Sequence, residues 1–168
     1  MEEVRKHVAD KPVRYGVLTH HHSDHVPGAA DYAAQGATLV TFRENEDVVR
    51  NAVGKGEAQF EFVEHRMSLS DGERTVELYD IGPTPHAEQL LVAYLPKEKI
   101  LFEADHFPQP RTGPLPPAVP ATVAFAEALA ELDLDVDRIV GAHSPRIGRL
   151  AELKAVVESA SAVTTGAP

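Results

Sequence analysis

Short runs of β-forming residues alternate with stretches whose apolar positions recur at helical spacing. Residues 13–19, Val-Arg-Tyr-Gly-Val-Leu-Thr, are mostly β-formers and end on a polar, histidine-rich turn, which predicts a strand. Residues 27–35 are rich in alanine, begin with Pro27 and meet Gly36 just past their end, the expected asymmetry of a helix. Residues 37–42 predict a second strand. Residues 44–53 place Val48, Val49, Ala52 and Val53 on one face and stop at Gly54, so they predict a second helix. A short helix is also expected over residues 2–9.

The middle of the chain reads as β-rich. Residues 59–64 alternate Phe60 and Phe62 with Glu61, the pattern of a half-buried strand. A turn at Ser70-Asp71-Gly72 leads to a strand over 74–81, and the apolar runs 89–95 and 99–103 form a hairpin about Pro96-Lys97-Glu98. Residues 107–120 carry six of the thirteen prolines and predict a loop of limited freedom. Phe125, Leu129 and Leu132 mark a helix over 121–132. A short strand follows at 137–141, then a last helix along Ile147, Leu150, Leu153 and Val157, with a frayed tail over 161–168. Strand and helix alternation around a β-rich middle predicts a mixed α/β layered fold. At 168 residues, with no repeat and no linker, the chain reads as one domain.

Composition narrows the function more than the fold. The net charge of −10, without a basic stripe, argues against binding a phosphate backbone, so no nucleic acid partner is expected. No run approaches the roughly 18 apolar residues of a membrane span, so no membrane partner is expected either. The opening Met1-Glu2-Glu3-Val4-Arg5-Lys6 is too charged for a secretory signal, which places the expected location in the cytoplasm. Cysteine is absent, so disulfides, thiolate ligands and cysteine nucleophiles are excluded.

Nine histidines are many for this length. Four of them stand in Thr19-His20-His21-His22-Ser23-Asp24-His25, directly after the first strand. His20 and His22 are two apart, so an extended backbone points both imidazoles the same way. Asp24 and His25 follow as the chain turns toward a helix. The segment reads as a cluster of metal ligands or as a solvated loop with adventitious metal affinity. The first reading gains weight because further ligand types stand where later strands stop: His86, Asp105 and His143. Imidazole and carboxylate suit zinc, iron or manganese, and the lack of thiolate points to a catalytic rather than a structural site. His7 and His65 read as surface residues, His21 as facing away from the ligands, and His106 as a substrate donor or a cleft wall. Glu44, Glu46 and Asp47 read as a solvated helix start that complements the dipole.

The order His20-x-His22-x-Asp24-His25, His86, Asp105, His143 resembles the metallo-β-lactamase superfamily over about residues 15–143. The resemblance implies an αββα sandwich. Only nineteen residues precede His20, so the sandwich is expected to be N-terminally shortened. It implies two divalent metal ions, zinc first, with iron and manganese as alternatives. His20, His22 and His86 would hold one ion, Asp24, His25 and His143 the other, and Asp105 would bridge them. The absence of cysteine argues against the β-lactamase subgroup with a Cys ligand. His86 is followed by Ala87-Glu88-Gln89 rather than the family's frequent Thr or Ser and Gly, so no substrate role is carried over to that position.

The implied activity is that of a metallo-hydrolase acting on a small ester, thioester, lactone or lactam. Two ions sharing a water lower its pKa toward neutrality. Asp24 and Asp105 are the carboxylates assigned to that chemistry. Ligand imidazoles must be neutral, so activity is expected to fall below about pH 6. Metal binding should stabilise the fold. The alternatives are an iron-dependent oxidoreductase on the same ligands and a truncated metal-binding module without turnover. A shortened sheet leaves an edge for pairing, so association into a homo-oligomer is expected. The proline-rich loop 107–120 is expected to wall the substrate site. Arg111 within it reads first as a surface arginine and second as a carboxylate binder.

Overall fold

The first strand, β1 (Tyr15–Val17), is shorter than its β-forming run, with three residues in register with β2 and the flanking Arg14 carbonyl and Leu18 N–H each adding one hydrogen bond to it. It pairs in parallel with β2 (Thr38–Thr41), which pairs in parallel with β3 (Gln59–Phe62). Leu39 and Val40 are both buried, as expected of a parallel strand covered on both faces. Parallel neighbours require crossovers. Here these are α1 (Ala29–Ala33), then a 3-10 turn (Arg43–Asn45) leading into α2 (Glu46–Val53). This computed structural model describes residues 6–7 and 11–165. The helix expected over 2–9 therefore lies outside the described residues, apart from Lys6 and His7.

The chain divides into two compact units, Met1–Glu64 and His65–Pro168. The first has a core of Leu18, Val26, Ala29, Leu39 and Val49. Val48, expected on the buried face of α2, is instead 40% exposed, because the buried stripe is narrower than the run of valines. Glu46 and Arg50 of that helix form an exposed ion pair one turn apart at 2.6 Å. The guanidinium groups of Arg43 and Arg50 cover the rings of Phe62 and Phe60 at 4.2 and 4.5 Å. Gly16 permits the close approach of α1 to β1. A Cβ there would lie 2.8 Å from Tyr32 Cγ. Gly16→Ala is expected to destabilise the protein by about 1–3 kcal/mol through this overpacking, measured by urea denaturation.

The second unit holds a six-stranded sheet in the order β4-β5-β6-β7-β8-β9. β4 (Arg66–Ser70), β5 (Thr75–Asp80), β6 (Leu91–Leu95) and β7 (Ile100–Glu103) form an antiparallel meander. α3 (Pro120–Leu132) then crosses over to β8 (Arg138–Gly141), parallel to β7. β4 has no counterpart in the predicted elements. Its apolar positions are only Met67 and Leu69, set among Arg66, Ser68 and Ser70, and the partner β5 supplies what the local pattern lacks. β9 (Gly148–Arg149) lies where the sequence predicts the start of the last helix, and Ile147 beside it is exposed. That helix, α4 (Leu150–Thr165), includes residues 161–165, which the sequence reading assigns to the tail. Phe125 and Leu129 of α3 and Leu153 of α4 join Leu90, Val92, Leu101 and Ile139 of the sheet region in one core. No helix among the described residues is long and apolar enough to cross a membrane.

Candidate metal centre

The candidate ligands all follow strand ends, and each unit gathers its own. In the first unit, Leu18 N–H donates to the Val40 carbonyl at 2.9 Å, the last hydrogen bond holding the chain to β2. Then the chain turns, with the N–H groups of His25 and Val26 donating to the His22 carbonyl at 3.0 and 3.3 Å. The turn folds four imidazoles together. His20 is fully buried, and its ring centroid lies 4.5 Å from His22 and 4.3 Å from His25. His21 is exposed, its ring 6.4 Å from that of His20. His25 Nε2 lies 3.3 Å from Asp24 Oδ2. Thr19 Oγ1 lies 3.1 Å from His20 Nδ1, a contact that orients the ring.

In the second unit the ends of β5, β7 and β8 carry His86, Asp105 and His143. After β5 the chain reverses through Gly82, at φ 71°, into a turn closed by Thr84 N–H donating to the Ala87 carbonyl at 2.9 Å. Asp105 also has a left-handed backbone, at φ 71°, a conformation that aspartate tolerates better than most residues. This aims its carboxylate between two imidazoles. Oδ2 lies 3.3 Å from His86 Nε2, and Oδ1 lies 3.1 Å from His143 Nε2. A carboxylate with one oxygen toward each of two histidines has the disposition a bridging ligand requires.

The donor set fits divalent metal. His20 and His22 offer ligand atoms within 4.8 Å of each other, as do Asp24 and His25, and as do Asp105 and His143. All are imidazole nitrogens or carboxylate oxygens, the donors that suit zinc, iron or manganese.

Close to Asp105 in the chain lie Glu103, which the sequence does not single out, and His106, which it does. Glu103 is buried, and burial raises its carboxyl pKa to about 7, against the lowering effect of N–H groups donated by His106 and Phe107. His106 is fully buried rather than lining a cleft, which removes the reading of it as a substrate donor. Burial holds its pKa below the ordinary histidine value, although the Ala104 carbonyl acts the other way. Thr122 Oγ1 donates to the His106 carbonyl at 2.7 Å. The proline-rich loop 107–120 lines a cavity of about 430 Å³ together with His143, through Pro108, Pro110, Pro114 and Leu115. Arg111 is exposed.

The sequence model of the metallo-beta-lactamase superfamily matches residues 1–143. The chain belongs to the metallo-β-lactamase superfamily. A metallo-beta-lactamase from Pontibacter korlensis, 24% identical, superposes with a TM-score of 0.68 over 95% of this chain and 76% of that one. A flavodiiron protein from Giardia intestinalis, 18% identical, superposes with a TM-score of 0.65 over 98% of this chain and 46% of that one. At these identities the likeness shows the fold, a mixed α/β metallo-β-lactamase fold. Among curated proteins, the 2,4-dinitroanisole O-demethylase subunit alpha of Nocardioides sp. strain JS1661 is 29% identical over 151 residues. Those residues are 87% of this chain, and the chain spans 45% of that relative's length.

Proposed function

We propose that the chain is a metal-dependent hydrolase with a dinuclear His/Asp centre. His20, His22 and His86 hold one ion, Asp24, His25 and His143 hold the other, and Asp105 bridges them. The observation that carries this reading is the Asp105 carboxylate, with one oxygen toward His86 and the other toward His143. Superfamily membership and the clustered histidines after β1 support it. Two bound divalent ions, zinc first, supply Lewis-acid polarisation of a substrate oxygen and activation of water. The protein's own residues set the charge and the shape. Asp24 and Asp105 offset the ions' charge, and the prolines beside His143 form a rigid, largely apolar wall for a small substrate. The substrate class is a small ester, thioester, lactone or lactam. The cytoplasm as the place of action and association with a second copy belong to the same proposal. Sedimentation velocity tests the association, and a monodisperse monomer removes it.

A second reading places iron at the same residues for redox chemistry. It is favoured by the shared fold of the Giardia flavodiiron protein and by a donor set free of cysteine. Metal analysis of natively purified protein separates the two readings, zinc supporting hydrolysis and iron the oxidoreductase. The same preparation is assayed on esters, thioesters, lactones, lactams and 2,4-dinitroanisole. Chelation is expected to lower the melting temperature by several degrees, because ligand carboxylates and imidazoles brought together for an ion lose their partner. An unchanged melting temperature with metal loss verified counts against a resident metal.

A further inference from the structure

Asp105 and His86 meet directly at their side chains, and a second connection in the same unit joins their backbones through Thr84 and His106. Its direction follows from counting donors and acceptors. Thr84 Oγ1 has three partners: the N–H of His86 at 3.2 Å, the N–H of Ala87 at 3.3 Å and His106 Nε2 at 3.0 Å. A hydroxyl oxygen has two acceptor lone pairs and one proton. Both lone pairs are taken by N–H groups, so the hydroxyl proton goes to His106 Nε2, which must be an acceptor. The other ring nitrogen, Nδ1, lies 2.7 Å from the Ala104 carbonyl, which can only accept. Nδ1 therefore carries the imidazole proton, and the tautomer follows from geometry. The chain of hydrogen bonds starts at the carbonyl of the residue before Asp105 and ends on the backbone N–H of His86.

His106 is held firmly enough to transmit position. Its N–H donates to Glu103 Oε2 at 2.9 Å, its carbonyl accepts from Thr122 Oγ1, and its ring packs 5.7 Å from that of Phe125. The His86 ring stands edge-on to it at 5.5 Å.

We propose that Thr84 and His106 are positioning residues that hold the His86 loop in register with Asp105, so that both side chains reach one metal ion together. This rests on the reading of His86 and Asp105 as metal ligands. Groups outside the coordination shell that orient metal ligands commonly alter metal affinity about 10–100-fold when removed, and Thr84 acts here through the His86 backbone.

The test is zinc affinity of the full chain, measured by competition with a calibrated chelator, with cobalt absorption spectra as a second readout. Thr84→Val removes the hydroxyl at nearly constant shape and is expected to weaken zinc binding about 10–100-fold and alter the cobalt spectrum. Thr84→Ser keeps the hydroxyl and is expected to stay near the wild type. A merely structural role predicts a lower melting temperature with unchanged affinity, and that result overturns the inference. His106→Gln places an amide oxygen near the Nε2 acceptor position and should preserve affinity better than His106→Asn. This second pair decides the matter if Thr84→Val does not fold, equal affinities again overturning the inference. A wild-type chain that binds no zinc, cobalt or iron overturns the parent reading and this one with it. A metal-binding wild type matched by Thr84→Val overturns only this one.

Discussion

Replacing Asp105 with asparagine is expected to lower turnover of any substrate the protein hydrolyses by about a thousandfold, roughly 4 kcal/mol of transition-state stabilisation. The substitution is chosen for its small steric effect. Asparagine matches aspartate in shape and also tolerates the left-handed backbone at φ 71°, so the turn after β7 should persist. What changes is the chemistry between His86 and His143. Today each imidazole faces an anionic oxygen, at 3.3 and 3.1 Å. In the variant one of them faces an amide nitrogen, which has no lone pair to share with a metal ion. The proposed bridge is lost, and with it one negative charge that would offset two dications. Steady-state kinetics with metal content measured on the same sample checks this. An Asp105→Asn protein with wild-type turnover and metal content would remove Asp105 from the centre.

Phe125→Ala is expected to cost about 3–5 kcal/mol, among the largest effects of any single truncation in the core. Phe125 is fully buried on α3 and packs with Leu90, Val92, Leu101 and Ile139. Its ring also supports His106. A domain of this length loses about 2–4 °C of melting temperature per kcal/mol, so a fall of roughly 6–20 °C is expected. Calorimetry on the chelated protein isolates the packing loss from any loss of metal. A fall below about 2 °C would mean that the core closes over the missing ring, contrary to the usual partial relaxation of such cavities.

The two substitutions probe features that were unequally legible. Asp105 stands out in the sequence because it follows an apolar run and belongs to an ordered set with His20, His22, His86 and His143. Histidine and aspartate at strand ends carry their chemistry with them, so their candidacy needs no tertiary information. Phe125 is legible as core by its helical spacing with Leu129. Val48 is not, since four apolar residues on α2 look alike until packing selects Val49 and leaves Val48 in solvent. β4 and β9 escape local reading for a related reason. Met67 and Leu69 among serines form a weak alternation, and Gly148-Arg149 forms none, so both strands exist through pairing with β5 and β8. Thr84 and Glu103 are ordinary residues in the sequence, and His106 reads there only as a substrate donor or a cleft wall. What makes them consequential is burial and contact across 22 positions of chain between Thr84 and His106.

The sequence by itself determined the chemistry available to this protein: imidazole and carboxylate in a recognisable order, no thiolate, and strands placed to deliver them. Those are properties of side-chain type and short-range pattern, which the linear chain already contains. Only the tertiary structure decided which oxygen of Asp105 faces which histidine, which nitrogen of His106 bears the proton, and which valine of α2 is dry. Each of these depends on distances between residues remote in sequence and on exclusion of water, and neither is set until the sheets and helices close around them.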